Sequence, residues 1–247
     1  MKFAANLSLL WPELPYLDRF DAAAEAGFDG VEVMFPYEMP AKDTQRALMR
    51  AGIQMVLIAA PPPNYTGGAR GFAAVPEAAE RFRYDLRRAM RYCMALRAPV
   101  LQLLAGAAEG DAARRTLVEN LAFAASEAPE GLLVTISPVS VADLPGSFLS
   151  CYDLAAEILE EVNAPNVGLQ FDSCQAEVMH GDPVRVLETH AALIRHVQVS
   201  DPPDGAADLD ALATGLMDID YGSWVSVGYD PSAPPETHRE ACQRLRR

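Results

Sequence analysis

Eight times along 247 residues a short apolar run is followed by a longer stretch whose apolar side chains recur at helical spacing. Short runs without polar alternation belong to strands buried on both faces, and such strands occur in parallel sheets covered by helices. The strand-like runs are Lys2–Ser8, Val31–Phe35, Ile53–Ile58, Val100–Leu104, Leu132–Ile136, Val167–Phe171, Ile194–Val199 and Trp224–Gly228. Helices are predicted over Tyr16–Ala26, Pro40–Ala51, Pro76–Leu96, Ala112–Ala128, Cys151–Val162, Pro183–Ala192, Leu209–Ile219 and Glu236–Arg246. Gly52 is placed as a helix stop, Pro76 suits a first turn, and Asp182 is a good N-cap. No break in composition divides the chain. The pattern predicts one α/β domain over residues 1–247, folded as a (β/α)8 TIM barrel.

In such a barrel the C-terminal strand ends converge on one site. Here those ends carry Asn6, Glu32, Ala59, Gln102, Ser137, Asp172 with Gln175, His196 with Gln198, and Gly228. Asp172 closes the apolar run Val167–Phe171, and a carboxylate delivered there needs a metal, a cation or hydrogen-bond donors around it. The Pro- and Gly-rich loop from Ala60 to Val75 is long for a compact domain, and loops of that length are usually functional. The loop Leu9–Pro15 is apolar; it is either a lid over the pocket or a surface through which copies of the chain associate as a homo-oligomer.

The formal net charge of −14 argues against nucleic acid and against anionic membrane as partners. No apolar stretch reaches membrane-spanning length and no charged leader with an apolar core opens the chain, so a cytoplasmic protein with a small-molecule ligand is expected. Cys93, Cys151, Cys174 and Cys242 are widely spaced, which predicts isolated buried thiols rather than disulfides or a zinc site.

Several stretches resemble the hydroxypyruvate isomerase family of xylose isomerase-like barrels. They are Phe3–Ser8 (FAANLS), Ala24–Glu32 (AEAGFDGVE), Phe35–Tyr37, and Ala60–Pro62 with Gly68, Arg70 and Gly71. Leu144–Gly146, Phe148 with Leu149, Ala164–Asn166, His196–Gln198 and Tyr221 with Trp224 extend the likeness over nearly the whole chain. The resemblance implies aldose–ketose isomerisation of a small hydroxy-carbonyl substrate. It also implies a Mg²⁺ or Mn²⁺ ion held by two Glu, an Asp and a Gln at the ends of strands five, eight, six and seven, with the glutamates serving as acid and base. At those positions stand Ser137, Gly228, Asp172 and Gln198. Gln175 replaces an expected His, and Ala59, Ala69, Gln102 and Ser140 stand where the family carries other polar groups. Ser200–Gly205 replaces a basic and acidic loop, and its Asp201 is a further carboxylate whose direction the sequence leaves open. One carboxylate and one amide make a poor site for a hard cation, so neither a metal nor another cofactor is expected.

Each remaining group has two readings. Asp172 is an acid–base group or a cap for loop N–H groups. His196 is a general acid–base or a hydrogen-bonded core histidine. Glu32 is a base or the partner of Arg70 in a salt bridge. Asn6, Arg70, Gln102, Ser137, Gln175 and Gln198 are expected to contact substrate. Cys174 is read as an inert thiol, and His180, His190 and His238 as surface residues. Two functions fit: a metal-independent isomerase, epimerase or related proton-transfer enzyme with His196, Glu32 and Asp172 as catalytic residues, acting on a small oxygenated substrate less polar than hydroxypyruvate; or a non-catalytic pseudoenzyme kept for ligand binding or protein partnership.

Overall fold

The apolar runs form strands and the amphipathic stretches form helices in a computed structural model that describes residues 1–64, 70–201, 207–228 and 235–246. The strands are β1 (Lys2–Asn6), β2 (Gly30–Val33), β3 (Gln54–Ala59), β4 (Val100–Leu103), β5 (Leu133–Ile136), β6 (Val167–Asp172), β7 (Ile194–Val199) and β8 (Trp224–Val227). Each pairs in parallel with its sequence neighbours, and β8 returns to β1 to close the barrel. The helices are α1 (Arg19–Glu25), α2 (Ala41–Ala51), α3 (Ala79–Leu96), α4 (Gly110–Glu127), α5 (Tyr152–Val162), α6 (Ser173–His180), α7 (Pro183–Thr189), α8 (Leu209–Asp218) and α9 (Pro235–Leu245). The expected (β/α)8 barrel is therefore the observed fold. No helix among the described residues is long and apolar enough to cross a membrane.

Strand side chains alternate between the helices and the lumen. Phe3, Ala5, Val31, Val33, Leu169, Phe171, Val197 and Val199 face outward into the main core, where α3 adds Phe82, Leu86, Met90 and Cys93. Each such Leu, Val or Phe stabilises the fold by roughly 1.5–3 kcal/mol. The lumen is divided by depth. Its N-terminal end is plugged by Ala4, Val56, Leu57 and Val100 with Trp224 against them. Above the plug the lumen side chains become polar: Glu32, Gln102, Thr135, Gln170, His196 and Ser226 are all buried.

Two departures from the sequence reading matter for the site. An additional helix, α6, follows β6 directly, where a loop was expected. It lacks a clear apolar stripe, and its start is set by the Asp172 cap. Two strand registers also shift, between Val31 and Glu32 and between Leu169 and Gln170. Such bulges move the following side chains along the lumen axis.

The long loop after β3 returns to the barrel against the end of β4. Ala73 and Ala74 donate backbone N–H groups to Leu104 and Ala105, and the buried Asn120 of α4 donates to the Ala73 carbonyl at 2.9 Å. The approach requires glycine on both sides. A Cβ at Gly71 would collide with the Leu104 backbone, and one at Gly106 (φ +85°) with the Gly71 carbonyl. Arg70 is thereby carried to the barrel mouth; Gly68 and Ala69 lie outside the described residues. We predict that Gly106→Ala, which meets both a left-handed φ and a backbone clash, costs roughly 2–3 kcal/mol in urea unfolding. A loss below about 0.5 kcal/mol would mean that the loop does not need this contact.

Candidate functional site

The C-terminal end of the barrel opens into a cavity of about 760 Å³. Asn6, Arg19, Glu38, Arg70, Asp172 and Gln198 are among the polar groups of its wall, and Leu9, Met34, Phe35 and Leu104 among the apolar ones. This is the size and mixture that suits a small ligand. Of the two readings for the Leu9–Pro15 loop, the structure places Leu9 on the cavity wall while Leu10 is buried. Arg19 holds this loop by donating to the carbonyls of Leu7, Pro12 and Leu14.

Asp172 ends β6 and caps α6. Its Oδ1 accepts from the Gln175 backbone N–H at 3.0 Å and from the Ser200 hydroxyl at 3.2 Å. Burial pushes its carboxyl up to about 6, with Glu32 adding repulsion, against the lowering effect of these donors. The two sequence readings thus coincide: the group is both a cap and a cavity residue. The α5 tyrosine, Tyr152, was not singled out by sequence. Its buried hydroxyl donates to the Asp172 carbonyl at 3.1 Å and accepts from the Asp172 N–H at 2.9 Å. A tyrosine among the apolar positions of a helix start was the available signal, because a buried hydroxyl needs a partner.

Glu32 and His196 lie deeper than expected. Both are fully buried in the lumen, and neither lines the cavity. His196 Nε2 is 3.2 Å from Glu32 Oε2 and 3.0 Å from Ser226 Oγ. Gln198 Nε2 donates to Glu32 Oε1 at 2.5 Å. Because β2 and β7 are not neighbours, these contacts cross the lumen. They also orient Gln198, since its NH2 end is bound to the carboxylate and its carbonyl oxygen is left for the cavity. Glu32 is therefore held by His196 and Gln198, and the expected salt bridge to Arg70 is replaced by this arrangement.

The remaining expected contacts divide. Asn6 Oδ1 accepts from the Ser8 N–H at 3.0 Å, which turns its NH2 group outward from that turn. Arg70 is exposed at the rim. Gln102 and Ser137 are buried and do not line the cavity. Gln175 is committed elsewhere, accepting from the Ser140 N–H at 2.7 Å and donating to Asp143 at 2.6 Å. It fixes the loop after β5 rather than reaching the cavity. Burial pushes the Cys174 thiol up to about 11, assisted by Asp172, so the thiolate needed of a nucleophile is disfavoured. His190, expected at the surface, is instead buried against Tyr152 and lies 3.2 Å from Asp153. His180 is exposed as expected, and the His238 side chain lies outside the described residues.

A hard divalent cation needs several anionic oxygens. At the ends of β5, β6, β7 and β8 the chain offers Ser137, Asp172, Gln198 and Gly228. Asp201 Oδ1 accepts from the Ala207 N–H at 3.0 Å. Among the described residues no group of three His, Cys, Asp or Glu side chains is placed to hold a metal. Among the described residues at these strand ends, one half-buried carboxylate and one amide do not fit such an ion.

A closed parallel barrel with a polar cavity at its C-terminal end defines a class of enzyme-bearing folds. A narrower likeness comes from comparison with known proteins. The family model of the xylose isomerase-like TIM barrel matches residues 20–247. A 2-oxo-tetronate isomerase of Cupriavidus necator is 35% identical over 94% of this chain and 94% of its own. The Escherichia coli hydroxypyruvate isomerase is 32% identical over 96% of each chain. A crystal structure described as a family 2 AP endonuclease from Brucella melitensis superposes with a TM-score of 0.90 at 34% identity, covering 96% of each chain. The chain belongs to the xylose isomerase-like TIM-barrel family.

Two predictions follow from the site. The Asp172 carboxyl is raised from 3.8 to about 6 in the folded chain, so the fold binds a proton there that the unfolded chain does not. Its contribution therefore falls as pH rises from about 4 to 6. Asp172→Asn, which keeps an oxygen for the cap, should gain up to about 2 kcal/mol over the unmodified chain between pH 4 and pH 7 in paired denaturation curves. A constant difference across that range would show that Asp172 is not desolvated. The second concerns metal. With Ser137→Glu and Gly228→Glu together, calorimetry should read at least about tenfold tighter Mn²⁺ binding, because ligand charge sets affinity. A Cβ at 228 comes 3.0 Å from Leu9 Cδ1, the end of a side chain that can yield. Unchanged binding would show that more than these two positions separate the cavity from a cation site.

Proposed function

We propose that this chain is an isomerase-type enzyme that moves a proton next to the carbonyl of a small oxygenated substrate, without a metal. The observation that carries this reading is Asp172: a half-buried carboxylate raised to about 6, on the wall of a cavity able to hold a small molecule. General bases work best when their pKa lies near the working pH. The names of the relatives, isomerases of 2-oxo-tetronate and of hydroxypyruvate, support the reaction class.

In this reading Asp172 takes a proton from the carbon beside the carbonyl. The electron pair moves onto the carbonyl oxygen, the adjacent hydroxyl passes its proton to that oxygen, and Asp172 returns its own proton to the former carbonyl carbon as the second oxygen becomes the new carbonyl. Asn6 offers N–H groups for the developing oxyanion. Gln198 offers its carbonyl oxygen to a substrate hydroxyl. Arg70 at the rim suits an anionic end of the substrate. His196 and Glu32 act through Gln198, as positioning residues. The name of the Brucella structure points to DNA, but a net charge of −14 opposes binding to a phosphate backbone and supports a small molecule.

The test is solvent exchange in D2O with chelator present, followed by proton NMR on hydroxypyruvate and on 2-oxo-tetronate. We expect deuterium uptake at the carbon beside the carbonyl, a rate that falls as pH drops through about 6, and a loss of roughly 10²–10⁴-fold in Asp172→Asn. No exchange with either compound overturns the proposal and favours a binding protein; full activity in Asp172→Asn overturns the assignment of Asp172 as the base.

A further inference from the structure

Three atoms in the barrel lumen are buried and have no hydrogen-bond partner among the described residues: Gln102 Oε1, Gln170 Nε2 and His196 Nδ1. Their residues are 3%, 0% and 0% exposed. Buried polar groups are nearly always paired, with protein or with ordered water. Three such atoms in one region of one lumen therefore point to a shared partner.

The register brings them together. Gln170 pairs with His196 across β6 and β7, and Gln102 pairs with Thr135 across β4 and β5. Thr135 Oγ1 in turn donates to Gln170 Oε1 at 3.1 Å. Ala59, beside Gln102 on β3, brings only a methyl group to this level. The lumen is narrow enough for Glu32 to reach His196 from the other side.

The hydrogen-bonding sense of Gln170 follows from its neighbour, and those of Gln102 and His196 from the atoms they present. Gln102 presents a carbonyl oxygen, an acceptor. Gln170 has its own carbonyl engaged by Thr135 and so presents an N–H donor. His196 has Nε2 against Glu32, and in the neutral ring that donates there Nδ1 carries the lone pair. The set is two acceptors and one donor. A cation would be repelled by the Gln170 N–H, and an anion by the two lone pairs. A water molecule donates twice and accepts once or twice, and matches all three.

We propose that the lumen holds one ordered water bound by Gln102, Gln170 and His196, and that it locks His196 in the tautomer that donates to Glu32. Glu32 then receives both the His196 N–H and the Gln198 N–H, and Gln198 turns its carbonyl oxygen to the cavity. Gln102 and Gln170 become positioning residues for a cavity they do not line. This inference does not depend on the reaction proposed above, since the site lies below the cavity and its test needs no substrate.

The test combines a high-resolution crystal structure with ¹⁵N NMR of histidine-labelled protein. His196 is assigned among the four histidines by a His196→Gln variant. We expect density for one water within hydrogen-bond distance of all three atoms, and a His196 ring protonated at Nε2 with Nδ1 accepting a hydrogen bond. In the double variant Thr135→Val with Gln170→Met, which removes the donor without stranding the Thr hydroxyl, the Nδ1 resonance should shift to that of an unbonded nitrogen. If that variant does not fold, the unmodified protein decides. No shared water in the density, a proton on Nδ1, or an Nδ1 resonance unchanged in the double variant overturns the proposal.

Discussion

Glu32 has no exposed surface, and a carboxylate so placed has to be hydrogen-bonded or surrender its charge. The fold answers this by bringing donors from the far side of the lumen, Gln198 and His196 on β7. The consequences spread outward. Gln198 is oriented by the bond, so its free oxygen faces the cavity. His196 is oriented too, with Ser226 of β8 at the same nitrogen. The charge of Glu32 also adds to the burial that raises Asp172. One buried carboxylate thereby fixes Gln198 at the mouth and adds a small push to the proton affinity that burial gives Asp172.

The lumen separates stability from chemistry by depth. Below Glu32 the side chains are apolar and close the barrel without polar demands. Above it they are polar and linked, and linked polar groups hold unique positions because each alternative leaves a partner unpaired. Asp172 belongs to this ordered part. Its cap bond to Gln175, the Ser200 hydroxyl and the Tyr152 clamp on its backbone hold the strand end in place. Capping does not compete with the proposed role of this group as a base, because the cap fixes the carboxylate orientation that a base requires.

The eight-unit barrel was legible because short apolar runs and stretches of period 3.6 alternate so regularly along the chain. Depth was not. Strand ends tell which residues converge on the lumen, and Glu32, Gln102, His196 and Gln198, read as strand-end residues, do enter it. How far each lies from the mouth depends on register, and the shifts after Val31 and Leu169 leave no mark in the residues themselves. Glu32 and His196 were therefore read as mouth residues and stand beneath it. Tyr152 escaped notice for a related reason: its partner is the backbone of a residue twenty positions away, and a backbone partner has no sequence signature. Gln175 looked like a site residue because it follows Asp172, but the unforeseen helix α6 turns it toward the loop after β5.

The two carboxylates also decide what kind of chemistry the mouth can support. Glu32, paired on both oxygens, is spent on holding its neighbours. Asp172, half-buried and repelled by Glu32, takes up a proton near neutral pH. A divalent cation beside Asp172 would do the reverse, favouring the charged carboxylate and drawing its pKa down. A carboxylate held as a metal ligand is poorly suited to exchange protons with a substrate. Asp172 on the cavity wall, with few anionic oxygens beside it among the described residues, is the feature on which the proposed proton transfer rests.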